Sequence, residues 1–438
     1  MQYNDKNNVI YSMKKRNVVC LLLLCSTLIS YGQVDTMWLT LDSCISYAIG
    51  NNSAILSADL QRKQSAVALE AAMLRFTPSL SASLAEDISI YGGHVSPSTS
   101  MGAGGSLTLF NGLSNYNNYR KSETQLVQSE YEWIKTGKDV SIQIISAYLD
   151  ILTNRERLVY LQQVLESAQG QLTDGNAKML AGSILPSDYQ MLDASFRKAQ
   201  CDVENAQISI ALSTSKLRKL MGLEPNAVIA VLPLAEEDTT SLMLPAFDAL
   251  RWMPELRISE LEVQKAQYDL KMARGAYLPS LGLNAYASIF GGDNQRTDGS
   301  GFLITNGGLN TNVSLGLSIP ILQQGMNRTQ VKQSRLALQQ AVLQHEETQR
   351  EIVEAVEERY YSALQARNNY AASSTMMQAN GSAYRVMQAK FKAGSISTVD
   401  LMRQQESYLN SVNDYLQNKY TYILSIKILK IYLGTVSN

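Results

Sequence analysis

Apolar positions along the chain follow two periods, and the change from one to the other occurs twice. Ile142, Ile145, Leu149 and Leu152, then Leu158, Leu161, Leu165, Ala168 and Leu172, recur at three and four, with a shift of phase near Glu156. This is the spacing of a coiled-coil seam. The stretch around them lacks proline and predicts a helix over roughly 114–181; a second such stretch predicts one over 326–393. At 1.5 Å per residue each is about 100 Å long. An Ala-Gly-Ser turn follows each, then a shorter returning helix that ends near Gly222 or Gly434. In the last helix Val412, Tyr415, Tyr422, Ile426, Leu429 and Leu433 carry the stripe.

Ahead of each long helix the period drops to two. Leu281, Leu283, Ala285, Ala287 and Ile289 alternate with Gly282, Asn284, Tyr286 and Ser288. Val313, Leu315, Leu317 and Ile319 alternate with Ser314, Gly316 and Ser318. Leu80, Ala82, Leu84, Ile88 and Ile90 do the same in the first half, although Glu86 interrupts the apolar face, and the return strand Ala103 to Phe110 is Gly-rich. These patterns predict β-hairpins over 78–110 and 279–320, each with one apolar and one small polar face. A helical stretch, about 42–75 and 248–277, precedes each hairpin and stops at Pro-Ser-Leu. A soluble sheet packed on helices would show the same alternation. Against it, nothing else in the chain offers a layer to cover such a sheet.

The two halves are copies. AKMLAGSILPSD (177–188) matches AKFKAGSISTVD (389–400) at seven of twelve positions, with an offset of 212 that also pairs Leu217 and Gly222 with Leu429 and Gly434. Upstream the offset becomes 201, laying TPSLSASL (77–84) over LPSLGLNA (278–285). The chain therefore divides into a first repeat over 33–222, a linker over 223–246 and a second repeat over 247–438. The returning helices and those before Pro-Ser-Leu together nearly equal one long helix. Strands and Ala-Gly-Ser turns then lie at opposite poles, with the linker and both termini at mid-height. Four strands cannot close a barrel, and an open edge is not tolerated in lipid. Two chains would give eight strands and a filled interior; three give twelve and room for a pore. Phe76, Phe110, Tyr116 and Tyr277 fall near the strand ends, as an interfacial girdle or as scattered core aromatics.

Composition narrows the compartment and the chemistry. Of 438 residues 45% are hydrophobic and 18% charged, with 38 basic against 39 acidic, which excludes a polybasic nucleic-acid binder and an acidic disordered tail. Lys14, Lys15 and Arg16 precede an apolar run from Val18 to Ile29, so residues 1–32 read as a secretory signal, with Met13 an alternative start. Leu24 precedes Cys25, where lipoprotein processing wants a small residue. Beyond the signal remain Cys44 and Cys201, too few for a disulfide framework, and His94 and His345 in unrelated contexts. No metal, cofactor or catalytic motif is present, so no enzyme is expected.

The twin Pro-Ser-Leu strand starts, the SLTLFNG and LSIPILQQG junctions and the paired AK..AGSI...D turns make the chain similar to the TolC-like outer-membrane efflux protein family. The resemblance covers essentially the whole mature length. It implies a mainly α fold with a β-barrel: a homotrimer with a twelve-stranded outer-membrane barrel, a helical periplasmic tunnel and an equatorial region. It also implies a periplasmic adaptor and an inner-membrane transporter of RND or ABC type as partners, in a Gram-negative bacterium. Gly182 and Ser183, with Gly394 and Ser395, match the helical tips where the family's adaptor docks; glycine is also the usual residue that ends a helix. Asp400 matches an aspartate lining the family's closed entrance, with Asp188 its counterpart in the first repeat. Ser397 and Asp400 equally have the spacing of a helix cap. Ile396 stands where relatives carry a gate-locking arginine, and Arg403 where a second aspartate lies, so Asp400, Asp188 and Arg403 are the candidate gate residues. The rival reading is a soluble periplasmic coiled-coil or adaptor protein, which would need β-rich flanks beside its hairpins.

Overall fold

The computed structural model describes residues 37–91, 94–234, 252–292 and 309–432. The expected signal over 1–32 with Met13, the rest of the linker to 246, the end of the second hairpin at 293–308 and Gly434 lie outside them. In the first repeat the elements are β1 (Met37–Leu39), α1 (Leu41–Asn51), α2 (Ser53–Leu74), β2 (Ser79–Tyr91), β3 (His94–Asn111), α3 (Ser114–Leu180) and α4 (Pro186–Met221). Then come β4 (Ile229–Val231), α5 (Pro254–Gly275), β5 (Ser280–Gly292), β6 (Leu309–Ser318), α6 (Met326–Lys392) and α7 (Thr398–Tyr432). The two long helices are 67 residues each, about 100 Å.

Two boundaries differ from the sequence pattern. The helical stretch expected over about 42–75 is two helices, broken at Asn52, whose backbone is extended. Its Oδ1 caps α2 by accepting from Ala54 N at 2.8 Å, and its Nδ2 donates to Leu220 O at 2.6 Å, so one side chain starts a helix and meets the end of α4. Gly222, at φ +71, lies so close to Asn51 that a Cβ there would sit 2.3 Å from its carbonyl oxygen. The ends of α1 and α4 thus abut. The first return strand is also longer than expected: β3 begins at His94 and pairs with β2 down to Ser106 opposite Ser79.

The four long strands form one antiparallel sheet in the order β2-β3-β5-β6, and β3 with β5 joins the two repeats. Helices continue this order. Beneath the sheet they lie side by side as α2, α3, α5 and α6; farther away α4 replaces α2 and α7 replaces α5. The described residues form a ribbon four elements wide, whose outer elements have described neighbours on one side only.

The main core sits at mid-height. β1 pairs with β4 in parallel, bringing the N-terminal segment against the linker. Both pack on Ile144, Tyr148, Ile151 and Leu217. Tyr148, 1% exposed, donates its hydroxyl to Leu232 O at 2.5 Å and lies 3.2 Å from Leu39 O. Burial pushes its phenol up to about 12. Glu156, where the stripe shifts phase, accepts from Lys419 Nζ and the Tyr420 hydroxyl, both at 2.7 Å, and so links α3 to α7.

Candidate functional site: the sheet faces and the pole of the helical hairpins

Alternation places opposite chemistry on the two sides of the sheet. Cross-strand pairing aligns Leu84, Met101, Ile289 and Leu309 in one row, and Leu107, Leu283 and Leu315 in another. No described helix covers this side, and Leu80 is 85% and Val313 75% exposed. The other side aligns Ser81, Gly104, Tyr286 and Asn312, and Ser83, Gly102, Ser288 and Asn310. The Tyr286 ring lies flat across Gly102 and Gly104: a Cβ on Gly102 would fall 2.3 Å from its hydroxyl oxygen, and one on Gly104 3.1 Å from its Cδ2. Phe76, Phe110, Tyr116 and Tyr277 are all exposed where strands meet helices, outside the core of the single chain. No described helix is long and apolar enough to cross a membrane.

At these junctions the backbone turns through two left-handed residues in each repeat, Gly112–Leu113 and Gln324–Gly325. Only one of each pair is glycine. Gly112 also meets Gly275 so closely that a Cβ on it would lie 2.0 Å from Gly275 O. Gly325 has open space around it.

The opposite pole holds the candidate gate and tip residues. Gly182 and Gly394, at φ +70 and +75, end α3 and α6 in the same way. Ser183 N donates to Lys178 O at 2.8 Å and Ser395 N to Lys390 O at 2.9 Å, the reach of a Schellman cap. No atom lies within 4 Å of a Cβ built on either glycine. Both tips are therefore helix ends by construction and open surfaces by position. Leu180 and Leu185 are exposed beside the first tip and Val399 beside the second.

Asp188 and Asp400 occupy the first turns of α4 and α7. Asp188 Oδ2 accepts from Leu185 N at 3.3 Å; the Ser397 hydroxyl donates to Asp400 Oδ2 at 2.7 Å and faces Asp400 N at 3.2 Å. Each carboxylate folds onto its own helix start, where the macrodipole favours it. Arg403 is exposed, and no ion pair joins Asp188, Asp400 and Arg403 among the described residues. Ile396 packs with Leu192, Tyr384, Phe391 and Leu401 in the small core of this pole.

Two ties between the repeats were not visible in the pattern. Lys178 Nζ donates to Phe391 O and lies 4.3 Å from the centre of the Phe391 ring, placing a cation on the C-terminus of α6. Two to three turns above, Gln171 Nε2 donates to the Ser167 hydroxyl at 3.1 Å and the Tyr384 hydroxyl at 3.0 Å, and Gln388 Nε2 also donates to Ser167 Oγ. Buried Gln171 Oε1 has no partner there, so the network is incompletely satisfied. Lys178 falls inside the repeated AK..AGS motif, yet the repeat is silent about the carbonyl it reaches.

The model of a family described as outer membrane efflux protein matches residues 44–223 and 248–435, most of each repeat. The chain is 23% identical over 302 residues to outer membrane efflux protein BepC of Brucella suis, covering 68% of this chain and 63% of that protein. It is 23% identical over 313 residues to outer membrane protein TolC of Escherichia coli, covering 67% and 60%. Less than two thirds of either relative is spanned. Among solved structures, the CmeC outer membrane channel of Campylobacter jejuni superposes with a TM-score of 0.76 at 20% identity, over 90% of this chain and 85% of that one. That likeness extends to the fold.

Proposed function

Because the chain belongs to the outer membrane efflux protein family, matched across both repeats, we propose that it is the outer-membrane duct of a tripartite efflux or secretion system. Solutes pass through it without chemistry by this chain, and no catalytic role is assigned to any residue. The observation that carries this reading is the uncovered sheet. One face is largely apolar, with Glu86, Thr99 and Thr311 its polar positions, the other is mostly Ser, Gly and Asn with Tyr286 and Asp87 among them, and both edges, β2 and β6, lack a partner strand among the described residues. Lipid on the first face and water on the second account for both.

Three copies close the ribbon into a twelve-stranded barrel continued by twelve helices. The helical edges support this. On α2, Leu60, Val67 and Leu74 form an exposed heptad stripe; on α6, Leu336 and Leu343 do the same. These stripes meet when α6 of one copy lies against α2 of the next. The adaptor docks on the tips at Gly182–Ser183 and Gly394–Ser395, and an inner-membrane transporter completes the assembly. Asp400, with Asp188 and Arg403, lines the entrance, and the capping bonds of the two aspartates fix where those charges stand.

Membrane fractionation tests the duct against a soluble periplasmic protein: the chain is expected to require detergent for release, and release by a high-salt wash defeats the reading. In planar bilayers the purified chain is expected to conduct, and Asp400→Ala to weaken divalent-cation block. Unchanged block removes Asp400 from the entrance.

A further inference from the structure

Charge is almost absent from the sheet. Across β2, β3, β5 and β6 the only Asp, Glu, Lys or Arg residues are Glu86 and Asp87, neighbours on β2. Because successive side chains point to opposite faces, the two are separated by the sheet itself. Glu86 pairs with Thr99 on the apolar side, between Leu84 and Ile88. Asp87 pairs with Ser98 on the polar side, in line with Ser83, Ala85 and Ser89. Ser98 Oγ approaches the backbone carbonyl of Asp87 at 3.4 Å and not its carboxylate. Among the described residues no cation pairs with either carboxylate.

We propose that Asp87 sets a cation preference in the barrel, separate from any charge at the helical pole. This rests on the three-chain duct. One Asp87 per chain becomes three carboxylates on the inner wall, and no other fixed charge is present on the described strands to offset them. Asp87 lies eight residues above Ser79, roughly 26 Å along the strand towards the far end of the first hairpin. Twelve strands about 4.8 Å apart and tilted about 40° put the wall about 12 Å from the axis. The Debye length is about 10 Å at 0.1 M salt and about 3 Å at 1 M. The ring therefore reaches permeating ions in dilute salt and loses them in concentrated salt.

The test is the cation-over-anion permeability ratio, read from reversal potentials of the purified full chain in a planar bilayer under a KCl gradient. Asp87→Asn is expected to lower the ratio about threefold near 0.1 M salt and to have little effect near 1 M. Asp87→Lys is expected to turn the preference towards anions, and Asp87→Glu to keep the original value. Glu86→Gln removes the same charge one residue away on the lipid side and is expected to leave the ratio unchanged. An unaltered ratio in a conducting Asp87→Asn channel overturns the inference, as does an equal shift from Glu86→Gln. Absence of conductance from the unaltered chain overturns the duct reading itself, a separate outcome.

Discussion

The two long helices have the same length and descend from the same repeat, yet they are used differently. α3 buries Val140, Ile144, Ile145, Ala147, Tyr148, Leu149, Ile151 and Leu152 in one continuous stretch. α6 buries only scattered positions, among them Ile352, Val356, Ala363 and Tyr384. Place in the ribbon explains this. α3 has α2 or α4 on one side and α5 or α7 on the other, whereas α6 ends the row. Duplication supplied two equal rods; the fold made one a spine and the other a rim. The spine's burial stabilises a single chain; in the proposed trimer the rim's burial would come from the next copy.

Breaking the spine should have the largest effect. Tyr148→Ala empties the mid-height core and strips two backbone carbonyls of their hydroxyl neighbour, a loss of about 4 kcal/mol. Chemical denaturation of the detergent-solubilised protein should show it. Next come the junction glycines. Gly112→Ala combines a left-handed backbone with a Cβ that overlaps Gly275 O and should cost about 3 kcal/mol; Gly325→Ala has only the backbone term, about 1 kcal/mol. Equal losses at the two sites would show that the close approach of Gly112 and Gly275 is relieved elsewhere.

On the rim, Leu343 is 65% exposed in the single chain. Leu343→Glu should leave the denaturation midpoint of a single chain nearly unchanged but remove about 2 kcal/mol from each contact between copies. Sedimentation in detergent should then show dissociated chains. A drop in single-chain stability instead would place Leu343 within the protomer core. The smallest effect is one of pH. Burial first, with weaker charge effects behind it, raises the phenols of Tyr148 and Tyr415 to about 12 and that of Tyr420 higher still. A raised folded pKa means that the neutral form is the stabilised one. Stability is thus fully present below the ordinary value of 10 and lost as pH rises from there through about 12. Tyr148→Phe should flatten part of that loss in denaturation midpoints taken between about pH 9 and 11.

Much of this was legible in the residues. Period and proline spacing found both long helices and both hairpins, because those elements are long enough for the pattern to outweigh local exceptions. Asn52 escaped because a single polar residue in a helical stretch is unremarkable until Leu220 O is there to receive its amide. The long reach of β3 escaped because glycines at 102, 104 and 105 hide the alternation, and the floor they form beneath Tyr286 exists only once the strands are paired. At the far pole the motif marked Gly182, Gly394, Asp188 and Asp400, all of them local. Lys178 on Phe391 and Gln171 on Tyr384 are contacts across more than two hundred positions, which one repeat cannot announce to the other.

The matching order of strands and helices has a consequence for assembly. Among the described residues, the unpaired edge of β2 and the exposed stripe of α2 lie on the same margin, with β6 and α6 on the other. In the proposed trimer any two copies would therefore meet along a single zip that begins in hydrocarbon and ends far outside it. A lone chain carries bare strand edges, which lipid does not accept. If three copies close the tube as proposed, insertion and closure would be one event: a copy that failed to dock its helices would also forfeit its place in the bilayer.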